Sequence, residues 1–274
     1  MLLNNNSKKI FLSSFSSFII AYVITIISNH ILTSFLAADN NIESHIFFTY
    51  IIINMPSVIS NEVEDIIITL NLIVPFISFI IGLILLFIYI SKTQKSITSS
   101  HILLWFIIII LNNTFGTIIS GCAFNMPITQ IANIMHFDIT IKIIIAGVSL
   151  FLLVKISILL GDSIISKDIL IIHDKQKQKI SYLLLTLVFP ALSGYFLILV
   201  LRNNEKILEF NLSFLTLAIM LASSFLANTS HEIITKNTPH INNKHIIVTT
   251  IFSLITFFIY YHYTNVGISI SFFY

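Results

Sequence analysis

The chain carries very little charge. Only 9% of its 274 residues are charged, whereas a soluble globular protein carries roughly 25%, so too few charges are present to cover a water-facing surface. The 7 Gly and 5 Pro exclude collagen-like and low-complexity chains. A formal net charge of +2 lacks the basic excess that nucleic-acid binding needs, and we expect no nucleic-acid partner. The single cysteine, Cys122, excludes an internal disulfide.

Long apolar runs take the place of the missing charge. The chain is 56% hydrophobic, and a helix needs about 20 mainly apolar residues to cross a bilayer. Only helices and closed barrels satisfy the backbone in lipid, and these runs are too long for barrel strands. The sequence therefore predicts an all-α, polytopic integral membrane helix bundle, a single transmembrane domain over residues 1–274. About seven transmembrane helices are expected, at 10–36, 66–91, 101–121, 139–161, 180–201, 208–228 and 245–263.

Two segments near the N-terminus need separate interpretation. The run 10–36 exceeds the core of a signal peptide, which has about 7–15 residues, so we expect a spanning helix there. The apolar segment 45–59 is too short to span and ends in Asn54-Met55-Pro56. It is predicted to be re-entrant, a hairpin or interfacial.

The basic residues predict the orientation of the bundle. Ten fall in loops on one side and two, Arg202 and Lys206, on the other. Because lysine and arginine concentrate in cytoplasmic loops, the N-terminus is predicted inside and the C-terminus outside, which requires an odd number of spans. The ten are Lys8, Lys9, Lys92, Lys95, Lys167, Lys175, Lys177, Lys179, Lys236 and Lys244.

Two further lysines, Lys142 and Lys155, lie within the fourth predicted span. An ionisable residue inside a membrane is by default a functional candidate. Lys142 lies one turn from the predicted outer end, and Lys155 lies six residues, about 9 Å of helix, from the predicted inner end. We therefore expect both side chains to snorkel to the interfaces.

Four polar residues form a candidate cluster on the outer side. They are His30, His136, Asp138 and His262, each near the end of a predicted span. Imidazole nitrogens and a carboxylate are ligands that suit zinc. The alternative is that each is an interfacial residue facing water. No two histidines face each other at mid-membrane, so a buried haem with two axial histidines is not indicated.

The segment His30–Ala38 resembles the H-E-L-G-H-A-L-A-A helix of membrane-embedded zinc metallopeptidases of the site-2-protease type. Weaker similarities to bacterial relatives follow along most of the chain, and they consist mainly of small and apolar residues. They are Leu72–Ser78 with Gly82, Asn112-Asn113 with Gly116 and Gly121, Phe189–Gly194, and Gly267–Ile270.

The departures from that family concern its catalytic groups. In the family, two histidines bind zinc and the glutamate is the general base. Here Ile31 stands at the glutamate position and Ser34 at the second histidine. A further aspartate ligand corresponds to the segment 125–133, which contains no acid. His30 is the only retained ligand position, so the resemblance implies a scaffold without peptidase activity and with no metal or other cofactor.

Three functions remain open from the sequence. The first is a non-catalytic assembly or regulatory component, with another membrane protein as its partner, in a bacterial cytoplasmic (inner) membrane. It predicts an unwound segment at 45–59 packed near His30. The second is a transporter or permease subunit. The third is a membrane metallohydrolase with zinc in a non-standard site formed by the outer cluster. The transporter interpretation uses Asn71, Asn112 and Asn113 as polar positions and Pro75 and Pro190 as helix breaks.

Overall fold

A computed structural model describes residues 5–47, 50–54, 61–91, 96–124, 127–168, 176–201, 207–227, 242–265 and 267–270. Six helical segments in these ranges are long and apolar enough to cross a membrane, which confirms the prediction of a helical membrane bundle. The helices are α1 Asn5–Asp39, α2 Asn61–Ser91, α3 Ile97–Phe124, α4 Pro127–Ile134, α5 Ile139–Asp168, α6 Gln176–Leu183, α7 Phe189–Leu201, α8 Ile207–Ser224 and α9 Asn243–Asn265.

Two predicted segments, 208–228 and 45–59, differ in form from the long spanning helices. The run 208–228 corresponds to α8, whose apolar stretch Leu212–Ser224 is shorter than the other six. The segment 45–59 contains two strands, β1 Ser44–Ile46 and β2 Ile51–Ile53, which form an antiparallel hairpin. Residues 48–49 and 55–59 of this segment lie outside the described residues. A third strand, β3 Ile268–Ile270, follows α9 and pairs antiparallel with β1, so the strand order is β2-β1-β3.

The core of the bundle is formed by α1 and α3. In each, 61% of the most apolar window is buried, against 22% in α2, α5 and α9. Helix α3 packs against α1, α2, α5 and α8, and its Trp105 is fully buried with its ring edge-on to Phe18 of α1. Small side chains on α1, such as Ser17 and Ala21, are fully buried as well. Small residues let the helix backbones approach closely, which is how helices associate in lipid.

Pro190 explains an irregular turn between α6 and α7. Proline has no N–H, so it cannot donate to the carbonyl of Thr186 four residues earlier. The backbone widens there into a π-helical turn, Leu184–Val188, in which Phe189 N–H donates to the Leu184 carbonyl. The freed Thr186 carbonyl accepts instead from Ser14 Oγ of α1. That hydroxyl accepts in turn from Trp105 Nε1 at 2.7 Å, so one hydroxyl joins three helical segments.

A second polar contact joins α3 to α8. The Asn112 side-chain amide donates to the Ser213 carbonyl at 3.1 Å, and Thr216 Oγ1 donates to Asn112 Oδ1 at 2.9 Å. Gly116 lies one turn further along α3, where an added Cβ would come 2.7 Å from Thr216 Oγ1. The glycine therefore permits the close approach that brings the amide to its partners.

The contacts of α1 also define the direction of α9. Ser16 Oγ, in the first half of α1, donates at 2.9 Å to Thr250 Oγ1, in the first half of α9. Further along both helices, the Tyr260 hydroxyl lies 3.3 Å from His30 Nδ1. The two helices therefore run parallel, and they end at the same end of the bundle. This is why the strands that follow them, β1 and β3, can pair.

The structure corrects the expectation for Lys155. Helix α5 extends to Asp168, seven residues beyond the predicted end, so Lys155 is further from the inner end than the sequence suggested. Its ammonium lies 5.6 Å from the ring centroid of Phe151, one turn back toward the helix start and away from the nearer end. Lys142, by contrast, lies at the start of α5, where its ammonium donates to Asn133 Oδ1 at 2.7 Å.

Gly161 tests the packing of α5 on α8. A Cβ added there would collide with the Ser224 backbone carbonyl and lie 2.9 Å from Ala227 Cβ. We expect Gly161→Ala to lower the free energy of unfolding in mixed micelles by about 1–3 kcal/mol, because a backbone atom cannot move aside cheaply. Gly147→Ala on the same helix is the control, since nothing lies within 4 Å of the added methyl. Equal stability of the two variants would contradict the described packing.

Candidate functional site

His30 lies where α1, α9 and the hairpin meet. The Tyr260 hydroxyl of α9 lies 3.3 Å from His30 Nδ1 and 3.5 Å from the Phe47 carbonyl oxygen at the end of β1. A phenol can accept one hydrogen bond while it donates another. The arrangement fits an Nδ1–H of His30 donating to Tyr260, which donates to Phe47. The retained histidine thus has a hydrogen-bonded position between two helices and the sheet.

The neighbouring motif positions on α1 differ in burial. Ile31, at the position of the family's glutamate, is 39% exposed on the outer surface of the bundle. Ser34, at the position of the second histidine, is fully buried, and its Oγ has no hydrogen-bond partner among the described residues. Residues three apart lie only about 60° apart around the helix axis. The edge of the buried side of α1 therefore falls between these two positions.

The sheet carries a polar group that the sequence analysis did not identify. His45 of β1 stands directly opposite Ser269 of β3, with Nδ1 2.9 Å from Ser269 Oγ. On its other side, His45 Nε2 lies 3.6 Å from Glu43 Oε1 and 3.4 Å from Asn54 Nδ2. Nothing in the local sequence marks Ser269, because its partner is 224 positions away.

The strand register explains why these side chains meet. Phe47 N–H donates to the Tyr50 carbonyl and Asn54 N–H to the Glu43 carbonyl, so the backbone groups of alternate residues, including His45, face β2. Hydrogen bonds alternate along an antiparallel pair, so His45 and Ser269 form a non-hydrogen-bonded pair, in which side chains come closest.

Exposure of the side chains to water limits the chemistry of this polar group. The order of hydroxyl, imidazole and carboxylate is one that can activate a nucleophile. However, the side chains of His45 and Glu43 are 31% and 49% exposed. Exposed ion pairs contribute little because water screens them. The contacts join β1 to β3 and to Asn54, which follows β2. We assign them a structural role.

The other predicted site residues lie at helix ends. His136 is exposed in the turn after α4, with a positive φ of 55°. Asp138 is exposed, and its Oδ1 accepts from Ile141 N–H at 2.8 Å, which caps the start of α5. His262 is exposed in the last turn of α9. Within the described ranges, no three His, Cys, Asp or Glu side chains are grouped so that they could hold a metal ion.

Comparisons with protein-family models, with curated proteins and with solved structures find no match for this chain. Function is therefore inferred from the residues and their geometry. Three observations bear on it: the contacts of His30, the different burial of Ile31 and Ser34, and the separate roles of the remaining polar residues.

Tyr260→Phe tests the contact between α9, His30 and the hairpin. Removing the hydroxyl takes away both polar contacts, and we expect the free energy of unfolding to fall by about 0.5–1.5 kcal/mol. We also expect faster amide hydrogen exchange in residues 44–53, measured by mass spectrometry. Phe258→Leu is the control, because that side chain is 60% exposed on α9. Unchanged exchange in the hairpin of Tyr260→Phe would show that the hydroxyl does not hold it.

Proposed function

We propose that this protein is a non-catalytic integral membrane protein with a metallopeptidase-like scaffold, which serves as an assembly or regulatory component. The observation that carries the proposal is the geometry of α1. His30 is held by Tyr260, Ile31 is directed outward, and Ser34 contributes a buried hydroxyl. The hairpin that follows α1 is linked to His30 through Tyr260, as this function predicts for the segment 45–59.

The residues around His30 do not fit catalytic zinc. Catalytic zinc sites use about three protein ligands and a base that activates water. The nitrogen and carboxylate groups of His136 and Asp138 lie in the α4–α5 turn, where the carboxylate caps α5. An exposed isoleucine at the position of the base cannot accept a proton. These observations favour a non-catalytic role over a metallohydrolase with a non-standard site.

We further propose that the bundle has seven spans. The ends of α1 and α9 lie on one side, because β1 and β3 pair, so an even number of crossings separates them. The five other candidate spans after α1 give an even number only if α8 also crosses. Helix α8 supports this: Ser213, in its first half, contacts Asn112 in the middle of α3, and its last turn packs on Gly161 in the second half of α5.

The orientation in this proposal has the N-terminus inside and the C-terminus outside, in a bacterial cytoplasmic membrane. The excess of lysine in the loops on the predicted inner side supports the orientation. The resemblance to bacterial metallopeptidases supports the assignment to a bacterial cytoplasmic membrane. Lys8, near the start of α1, and Lys244, near the start of α9, then lie on the same side, as the parallel packing of these helices requires.

Two of the polar positions considered for a transporter, Asn71 and Asn112, have structural partners. Asn112 binds α8, and the Asn71 side chain donates to the Ile67 carbonyl of its own helix at 3.0 Å. Pro75 lies inside an uninterrupted α2, and the backbone remains helical on both sides of Pro190. Transporter sites are typically formed by discontinuous helices near the midplane, so these features favour the scaffold.

Cysteine accessibility tests the seven-span arrangement. In a Cys122→Ser background, we expect Asn54→Cys and Asn204→Cys to react with a membrane-impermeant maleimide added outside intact cells. Lys8→Cys and Lys244→Cys should react only after the cells are opened. If α8 does not cross, Asn204→Cys and Lys244→Cys will instead react from the same side.

Elemental analysis tests the absence of catalytic zinc. We expect the purified full-length protein to contain far less than one zinc per chain, and the content to be unchanged by His30→Ala or by the pair His136→Ala and Asp138→Ala. Loading the protein with zinc before gel filtration supplies a positive condition. Stoichiometric zinc that either variant loses, together with cleavage of a membrane-protein substrate, would establish the metallohydrolase instead.

A further inference from the structure

One face of α5 is exposed from Ile139 to Leu159. Residues at every fourth position from Ile143 are exposed there, and one of them is charged. Residues four apart are neighbours on a helix surface, so they form a continuous stripe, which winds gradually around the axis because each step of four residues exceeds a full turn by about 40°. The other side of α5 packs on α3 and α8. The stripe consists of Ile143, Gly147, Phe151, Lys155 and Leu159.

The charge of this stripe is deep in the span. The candidate span of α5 runs from Ile139 to Ile165, and Lys155 lies about 24 Å from its start and about 15 Å from its end, at about 1.5 Å per residue. The ammonium leans toward Phe151, 5.6 Å from the ring centroid. It therefore lies close to the midpoint of the candidate span, away from both of its ends.

The ammonium needs an anionic partner at that depth. Charged residues at the centre of a membrane are costly, and they are normally paired or face a polar cavity. Among the described residues, no carboxylate lies within ion-pair distance of Lys155. Asp162, the nearest acid along α5, is two turns away, about 10 Å along the axis. In the described part of the chain, no acidic side chain is therefore paired with this ammonium.

We infer that this face of α5 docks a transmembrane helix of a different protein, which carries a carboxylate level with Lys155. A second copy of this chain does not fit, because α5 against α5 in the same orientation would bring the two lysines together. Gly147, with open space beyond it, allows the partner backbone to approach two turns from the charge. The inference rests on the proposed function, since it gives the assembly component its binding surface.

Synthetic transmembrane peptides test the charge requirement. The full-length protein is reconstituted in phosphatidylcholine vesicles and its binding to a labelled Leu-Ala helix of about 23 residues is measured by energy transfer. One peptide has a central Glu and its control has Leu there. We expect the Glu peptide to bind the wild-type protein at least about tenfold more tightly. Lys155→Met should reduce its binding to that of the Leu peptide.

Three controls make the result specific. Lys142→Met removes a lysine of the same helix at its end and should leave binding unchanged. The Lys155→Glu variant should no longer bind the Glu peptide and should instead bind a peptide with a central Lys. Gly147→Leu keeps the charge and fills the open space, so it should weaken binding of the Glu peptide at least about threefold.

Two outcomes would overturn the inference. One is equal binding of the Glu and Leu peptides by the wild-type protein. The other is binding that follows the phosphatidylglycerol content of the vesicles and not the charge of the peptide, which would assign the ammonium to lipid phosphate. Either result leaves the zinc measurement unaffected. A zinc-free protein without peptide binding therefore contradicts only the docking surface, whereas a zinc-dependent peptidase contradicts the proposed function.

Discussion

The fold depends on one requirement of the lipid environment, that every backbone polar group finds a partner within the protein. Pro190 removes the donor that the Thr186 carbonyl would have in a regular helix. Ser14 supplies a replacement, and Trp105 binds the same hydroxyl. These groups belong to α1, α3 and the π-helical turn. The hydrogen bonds that satisfy one carbonyl therefore also fix the relative positions of three helical segments. The fully buried Trp105 lies at the centre of that packing.

The sequence predicted the helices well because long apolar runs have few alternatives in lipid. It could not predict the sheet, because the register of β1 with β3 depends on residues 224 positions apart. It also ended the fourth span too early. Asp162 and Lys167 mark a change of composition near 161, but the helical hydrogen bonds continue to Asp168. Lys155, which the sequence predicted to lie near an interface, therefore lies in the middle of a helix.

For a similar reason, the sequence identified some residues of the candidate site and missed others. His30 was identified from a motif, which is local information in one helix. Tyr260 was not, because an aromatic residue in an apolar run has no distinguishing spacing, and only the parallel packing of α1 and α9 brings it to His30. Asp138 was considered as a ligand, yet its position before α5 is typical of a helix cap, which is the role it has.

The pairing of β1 with β3 also has a consequence for biosynthesis. The strand β1 leaves the ribosome before α9 is made, whereas Ser269, which contacts His45, is made only after α9. The sheet cannot be completed until α9 has been inserted beside α1, and until then β1 has an unpaired edge, which can associate with other strands. Contacts between such distant residues form slowly. Closure of this sheet therefore follows the insertion of α9, and a chain truncated before Gly267 would keep an unfinished edge exposed at the membrane surface.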